Sequence, residues 1–358
     1  MVAQGPLHSI GRLGLIIFCL GWVVVLALFV LPIYLDITAF KGPVEDILSD
    51  IVAAPVTVAD LRLDLSLWPT LQLGNVEVQG SGALDAPLFT HIETAELRLS
   101  LLPLLRKELK IKHLSASDLD FHVHRRKGEA GNWPGRTTLP YNLSELANVN
   151  LEKVTIFLDD ADIGQADAWI ERLDLDIAEH RPLELALHGT LEGLPISLAA
   201  SGPTLAALSP LAGDFPLAAH LEIADLLLKL SGSASREPDG TNLQLAVETA
   251  STNWDFLRVL EGVDIPEIGG FDIASRVTTR NSKIELSDLR GSLGSTTVHG
   301  ALTLDTHPEK AQVSGKIGLG QVDLRPWLDR SQAEEIDASA PLPFDLLSWC
   351  DVSVEVSI

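Results

Sequence analysis

His122 and His124 stand two residues apart with Asp120 beside them, so on an extended segment all three fall on one face. Two imidazoles and a carboxylate in that arrangement could hold a metal ion. The same residues also read as the exposed polar face opposite Phe121 and Val123, and that plainer reading is preferred. Asp159, Asp160 and Asp162 gather three carboxylates, yet the glycine and closing glutamate of a calcium loop are missing, so a solvated turn is expected. Gly315 to Gly320 has the spacing G-x-x-G-x-G without the strand-to-helix context that phosphate binding requires. No G-x-S-x-G elbow, Walker A loop, H-E-x-x-H or G-x-G-x-x-G occurs. Carboxylates are plentiful, but nothing selects a pair for glycoside hydrolysis, and with 7 Trp and 2 Tyr aromatic sugar platforms are scarce. The residues therefore point away from an enzyme, and they imply no catalytic residue, no cofactor and no metal site.

Charge and cysteine content narrow the classes further. The formal net charge of −23 repels phosphate backbones and excludes nucleic acid as a natural partner. Cys19 and Cys350 lie near opposite ends of the chain, which leaves no disulfide framework and no thiolate cluster. The length of 358 residues, 46% of them hydrophobic, suffices for one large or two ordinary domains with a core.

The elements that must position any site are mostly strands. Leu61, Leu63, Leu65 and Leu67 alternate with polar residues, and the phase shifts across Gly74-Asn75 between Leu71/Leu73 and Val76/Val78, which predicts a bulge or turn. Leu97, Leu99 and Leu101 repeat the alternation, as do Leu119, Phe121 and Val123. So do Leu173, Leu175 and Ile177, then Leu183, Leu185 and Leu187, and then Leu243, Leu245 and Val247. Each strand thus has one apolar and one polar face, as in an antiparallel sheet wet on one side. Helices are few: 44–52 has apolar residues at helical spacing, 252–260 is a second candidate, and 325–328 and 343–347 look like single turns. L-S-L-x-P-x-L occurs at Leu65–Leu71 and again at Leu99–Leu105, a repeated strand unit that suggests elongated stacking. The chain stops in alternation at Ile358, which reads as a truncated product.

The amino terminus reads as membrane-spanning. Residues 13–31 carry no charge, and the apolar run is about a bilayer long, with no small-x-small cleavage site after it. The expected organisation is a cytoplasmic 1–12, a transmembrane helix 13–34, a β-module 36–140 containing the helix 44–52, and a second β-rich module 150–358. Periodicity alone favours two sheets closing into a sandwich. A membrane anchor shifts the preference to one long curved antiparallel sheet, an open trough whose lining meets acyl chains. Candidate lining residues are Leu61, Leu63, Leu65, Leu67, Leu97, Leu99, Leu101, Leu119, Phe121, Val123, Leu173, Leu175, Ile177, Leu183, Leu185, Leu187, Leu243, Leu245 and Val247.

The order of these elements resembles the AsmA family. The anchor, short helix and Val58–Val78 resemble its amino-terminal region, and Glu96–Leu105 followed by Leu109–Leu114 is closer still. Gly131-Asn132-Trp133, Ile265–Phe271 and Leu293–Gly300 resemble further segments, so the likeness runs over nearly the whole chain. The resemblance implies a protein of the bacterial inner membrane, single-pass, with its bulk in the periplasm, acting in outer-membrane biogenesis. It implies partners in membrane phospholipid, the inner membrane and outer-membrane assembly components, and it brings no catalytic residues. The expected function is to hold or conduct acyl chains along the aliphatic trough. The alternative is a structural or regulatory factor for outer-membrane protein assembly that acts through protein contacts.

Overall fold

The computed structural model describes residues 38–52, 54–64, 68–80, 88–100, 110–125, 131–132, 146–160, 164–178, 180–204, 214–237, 240–261, 269–280, 282–306, 311–321 and 350–357. The chain divides into two units.

The first unit, Met1–Leu146 with Asp159–Gly164, contains helix α1 (Thr38–Val52) and strands β1 (Val56–Asp64), β2 (Thr70–Gln79), β3 (Leu88–Leu99) and β4 (Ile111–Arg125). Each strand pairs antiparallel with the next. The phase shift at Gly74-Asn75 lies inside β2, where Asn75 adopts φ 49°. This bulge returns Leu71, Leu73, Val76 and Val78 to one buried face despite their broken spacing. Asp118, at φ 55°, does the same for Ala116 and Leu119 in β4.

The second unit, Ala147–Leu158 with Gln165–Ile358, contains β5 (Asn148–Asp160, whose Asp159 and Asp160 count with the first unit), β6 (Gly164–Asp176, whose Gly164 counts with the first unit), β7 (Glu184–Leu191), β8 (Leu194–Ser201), β9 (Phe215–Ile223), β10 (Leu226–Glu237) and β11 (Gly240–Ser251). Helix α2 (Asp255–Glu261) follows, then β12 (Phe271–Arg280), β13 (Lys283–Leu293), β14 (Thr296–Asp305), β15 (Ala311–Leu319) and β16 (Cys350–Ser357). The strands lie side by side in chain order, a repetitive, solenoid-like progression in which each strand pairs with its sequence neighbours. Two-residue hairpins turn at Glu192-Gly193, both at positive φ, and at Ala224-Asp225, where Ala224 is at φ 52°. Asn253 caps α2 by accepting the Asp255 amide at 2.8 Å. Trp254 packs on Phe271 with ring centroids 4.6 Å apart and donates its indole N–H to the Gly269 carbonyl.

Several expectations are corrected. The fold class expected above, a single transmembrane helix followed by an elongated, curved antiparallel sheet with a few short helices, gives way to a solenoid-like series of strands, sixteen among the described residues, whose last pair, β15 and β16, is parallel. α1 begins at Thr38, ahead of the expected 44–52, because the helix runs through Gly42 and Pro43. The helix expected at 252–260 is the shorter α2. The transmembrane helix placed at 13–34 lies outside the described residues, and among those described no helix is long and apolar enough to cross a membrane. With α1 at 15 residues and α2 at 7, the single-pass inner-membrane localisation finds no support in the described fold and is withdrawn. The turns expected at 325–328 and 343–347 also lie outside the described residues.

Candidate interaction face

Antiparallel register carries the alternation of single strands sideways into rows. In the second unit Leu173 pairs with Leu187, Leu187 with Leu198, Leu198 with Leu221, and Leu221 with Leu228. A parallel row runs Leu175, Leu185, Ala200, Ala219, Leu230, Val247. A third runs Leu245, Val277, Leu286, Leu302. These side chains are half-buried: strand neighbours flank them laterally, and no layer of the described residues brings them to the burial of a core. Bulges keep the rows in phase. Between Ile170 and Arg172 the register shifts so that Leu173, three residues after Ile170, rejoins the same face. Gly232 stands in the row with Leu217 and Leu245, and a Cβ there would fall on the carbonyl oxygen of Gln244.

The first unit treats its apolar face differently. Leu97, Leu99 and Leu119 are each 3% exposed and form its core with Leu71, Leu73 and Ile111. Phe121 and Val123 are half-buried, with Phe121 edge-on to Phe89 at 5.7 Å, and Leu61 and Leu63 are half-buried on β1. Leu65, Leu67 and Leu101 lie outside the described residues. In the second unit Leu173, Leu175, Leu185, Leu187, Leu243, Leu245 and Val247 stand on the half-buried face. Ile177 and Leu183 lie just outside β6 and β7, where their amides bond to the Ala147 and Pro203 carbonyls. Sequence reasoning overlooked β8 and β9, and with them Ile196, Leu198 and Leu221.

The opposite face of the second unit is polar and holds a shallow cavity of about 610 Å³ floored by Ala186, Ala199, Ser201, Ala218 and Ser231. Asp174, on its rim, receives Nε of Arg172 at 2.6 Å. That bond, ahead of burial working the other way, holds the Asp174 carboxyl below its ordinary range. His220 on the same rim lies 3.2 Å from Glu222. These groups are partnered at the surface and assemble no nucleophile, base and orienting group.

The histidines and carboxylates with metal-like spacing have other partners. His124 Nδ1 contacts Asp159 at 2.9 Å. Asp160 is held by Arg125, Nε to Oδ2 at 2.6 Å and a terminal nitrogen to Oδ1 at 2.9 Å. Asn132, 5% exposed, accepts the His124 amide at 2.8 Å and donates to the His122 carbonyl at 2.6 Å. Asp162 lies outside the described residues, and among the described residues no group of three or more His, Cys, Asp or Glu is placed to hold a metal ion.

Fold and face together define a β-sheet protein whose described residues assemble no catalytic centre and carry a broad aliphatic surface on one unit. Residues 8–158 match the AsmA family. No curated protein and no solved structure matches the chain. The resemblance drawn above over nearly the whole chain is therefore corrected to its first part, since Ile265–Phe271 and Leu293–Gly300 fall outside the match. The partnership with the inner membrane and its phospholipid is corrected as well. Its preference over protein contacts rested on the anchor, and the described helices supply none. The family match, with no catalytic arrangement among the described residues, is consistent with a non-catalytic structural protein.

Proposed function

We propose that the protein is a non-enzymatic structural factor for outer-membrane protein assembly that acts through protein contacts. The observation that carries this reading is the half-buried aliphatic face of the second unit, laid out in lateral rows from Leu173 to Leu228 and from Leu245 to Leu302. An apolar surface of this breadth in water lowers its free energy by meeting another apolar surface. The exposed edges and faces of an unfolded β-barrel precursor offer such a surface in strand-sized pieces. The match of residues 8–158 to the AsmA family supports the outer-membrane setting. The net charge of −23 keeps the polar face solvated and the chain dispersed while the aliphatic face is engaged.

The test dilutes a urea-unfolded outer-membrane β-barrel protein into buffer with the purified chain and follows aggregation by light scattering. The wild-type chain delays aggregation, and Leu187→Asp, Leu245→Asp and Leu302→Asp each weaken the delay. Aggregation unchanged by the wild-type chain, or delayed equally by the three variants, rejects the reading.

A further inference from the structure

The outer edge of β1 is not left as bare backbone. The Val58 amide donates to Glu45 Oε1 at 2.8 Å and the Val56 amide to Ser49 Oγ at 2.9 Å, while Lys41 Nζ reaches the Ala59 carbonyl at 3.4 Å. Lys41, Glu45 and Ser49 are spaced by four, so one stripe of α1 runs along the strand and supplies with side chains what a neighbouring strand would supply with backbone. The inner edge of β1 is taken by β2, with Val56 opposite Val78 and Val58 opposite Val76. The helix that covers the outer edge is weakly built. Pro43 inside it forfeits an intrahelical bond, Gly42 beside it lowers helix propensity, and neither an acidic first turn nor a basic last turn supports its ends. A Cβ at Gly42 would meet nothing within 4 Å, so packing does not require glycine there.

We infer that the outer edge of β1 is a strand-addition surface for an extended polypeptide and that α1 is its detachable guard. With α1 docked, the amides of Val56 and Val58 are satisfied by Glu45 and Ser49. With α1 released, they are offered to a segment alternating aliphatic and polar residues, whose aliphatic side chains extend the buried row of Val56 and Val58. This goes beyond the proposed function and stands without it, because it uses β1 and α1 and none of the residues of the aliphatic face tested above.

The experiment uses the full chain, its Glu45→Ala/Ser49→Ala double variant and Pro43→Ala. A labelled peptide copying Thr70–Gln79, the strand that pairs with β1 on its inner edge, serves as the probe. Amide exchange is read at Val56 and Val58, with the β2–β3 amides as internal reference. Losing two side-chain acceptors should speed exchange at Val56 and Val58 and tighten peptide binding about tenfold. Pro43→Ala, which strengthens α1, should do the opposite, so the outcome does not rest on a variant that weakens the fold. Unchanged exchange at these two amides, equal peptide binding by all three proteins, or self-association of the double variant without peptide binding each overturns the inference.

Discussion

Arg125 grips Asp160 through two nitrogens, and Asp160, at 7% side-chain exposure, is the more deeply buried partner of the two. A carboxylate taken that far from water is tolerable because the guanidinium replaces its hydration in a two-pronged geometry. Removing Arg125 takes both of these bonds from a buried carboxylate. Arg125→Met is expected to cost about 3 kcal/mol, while Arg125→Met combined with Asp160→Leu should recover most of that loss. Urea unfolding of the two variants beside wild type checks this, and equal losses would argue against the burial account.

Asn132 offers a second measure of the same region. Its amide group bridges the backbone of His122 and His124, and its own N–H bonds to the His124 carbonyl. Asn132→Ala removes the side-chain bonds from a part-buried amide and carbonyl of β4, at an expected cost of about 1–2 kcal/mol. Asn132→Asp keeps the acceptor and loses the donor, so a smaller loss is expected, read from the same unfolding curves.

Asp225 predicts a pH dependence. Burial acts to raise its pKa, but the bonds it accepts from the Thr252 side chain, Ser251 and the Thr252 amide outweigh burial and hold it below the ordinary carboxylate value. A depressed folded-state pKa means that the unfolded chain binds the proton more readily. The stability Asp225 contributes is therefore present in full above the unfolded carboxylate range and is lost as pH falls through the folded value. The gap in melting temperature between wild type and Asp225→Asn should be widest near neutrality and close as the solution is acidified.

Gly232 tests the close approach of β10 and β11. An added Cβ would strike the Gln244 carbonyl, so Gly232→Ala must push the strands apart. A cost of about 1–3 kcal/mol is expected, in the range of overpacked sites. A crystal structure of the variant should show the displacement centred on the Gly232–Leu245 pair. Gly193, at φ 77° with open space around a Cβ, should instead lose stability to Ala through backbone strain alone, with the hairpin otherwise unmoved.

What was visible in the sequence was whatever one strand reveals by itself. Leu243, Leu245 and Val247 alternate cleanly with polar residues, and β11 stands there. β8 and β9 were hidden by local composition. Pro195 and Pro216 argue against interior strands, and Ala199, Ala200, Ala218 and Ala219 occupy both faces alike, which erases the contrast that periodicity depends on. Register was equally hidden, since nothing in Leu187 announces Leu198 on one side and Leu173 on the other. The bonds that Glu45 and Ser49 accept from β1 follow from docking an element, and a linear reading shows their four-residue spacing without its target. The difference between the sealed Leu97 and the half-open Leu187, both in alternating runs, is set by what packs above each and leaves no mark on either strand.

Chain-order pairing has a consequence for how such a molecule can change in size. Excising one whole hairpin from the middle of the second unit, β9 with β10 for instance, would bring β8 against β11 with their directions still opposed and their aliphatic sides still level. Inserting a hairpin would preserve the same match. Growth and shrinkage therefore come in steps of two strands, and an odd step would turn an antiparallel seam into a parallel one and demand a long return connection.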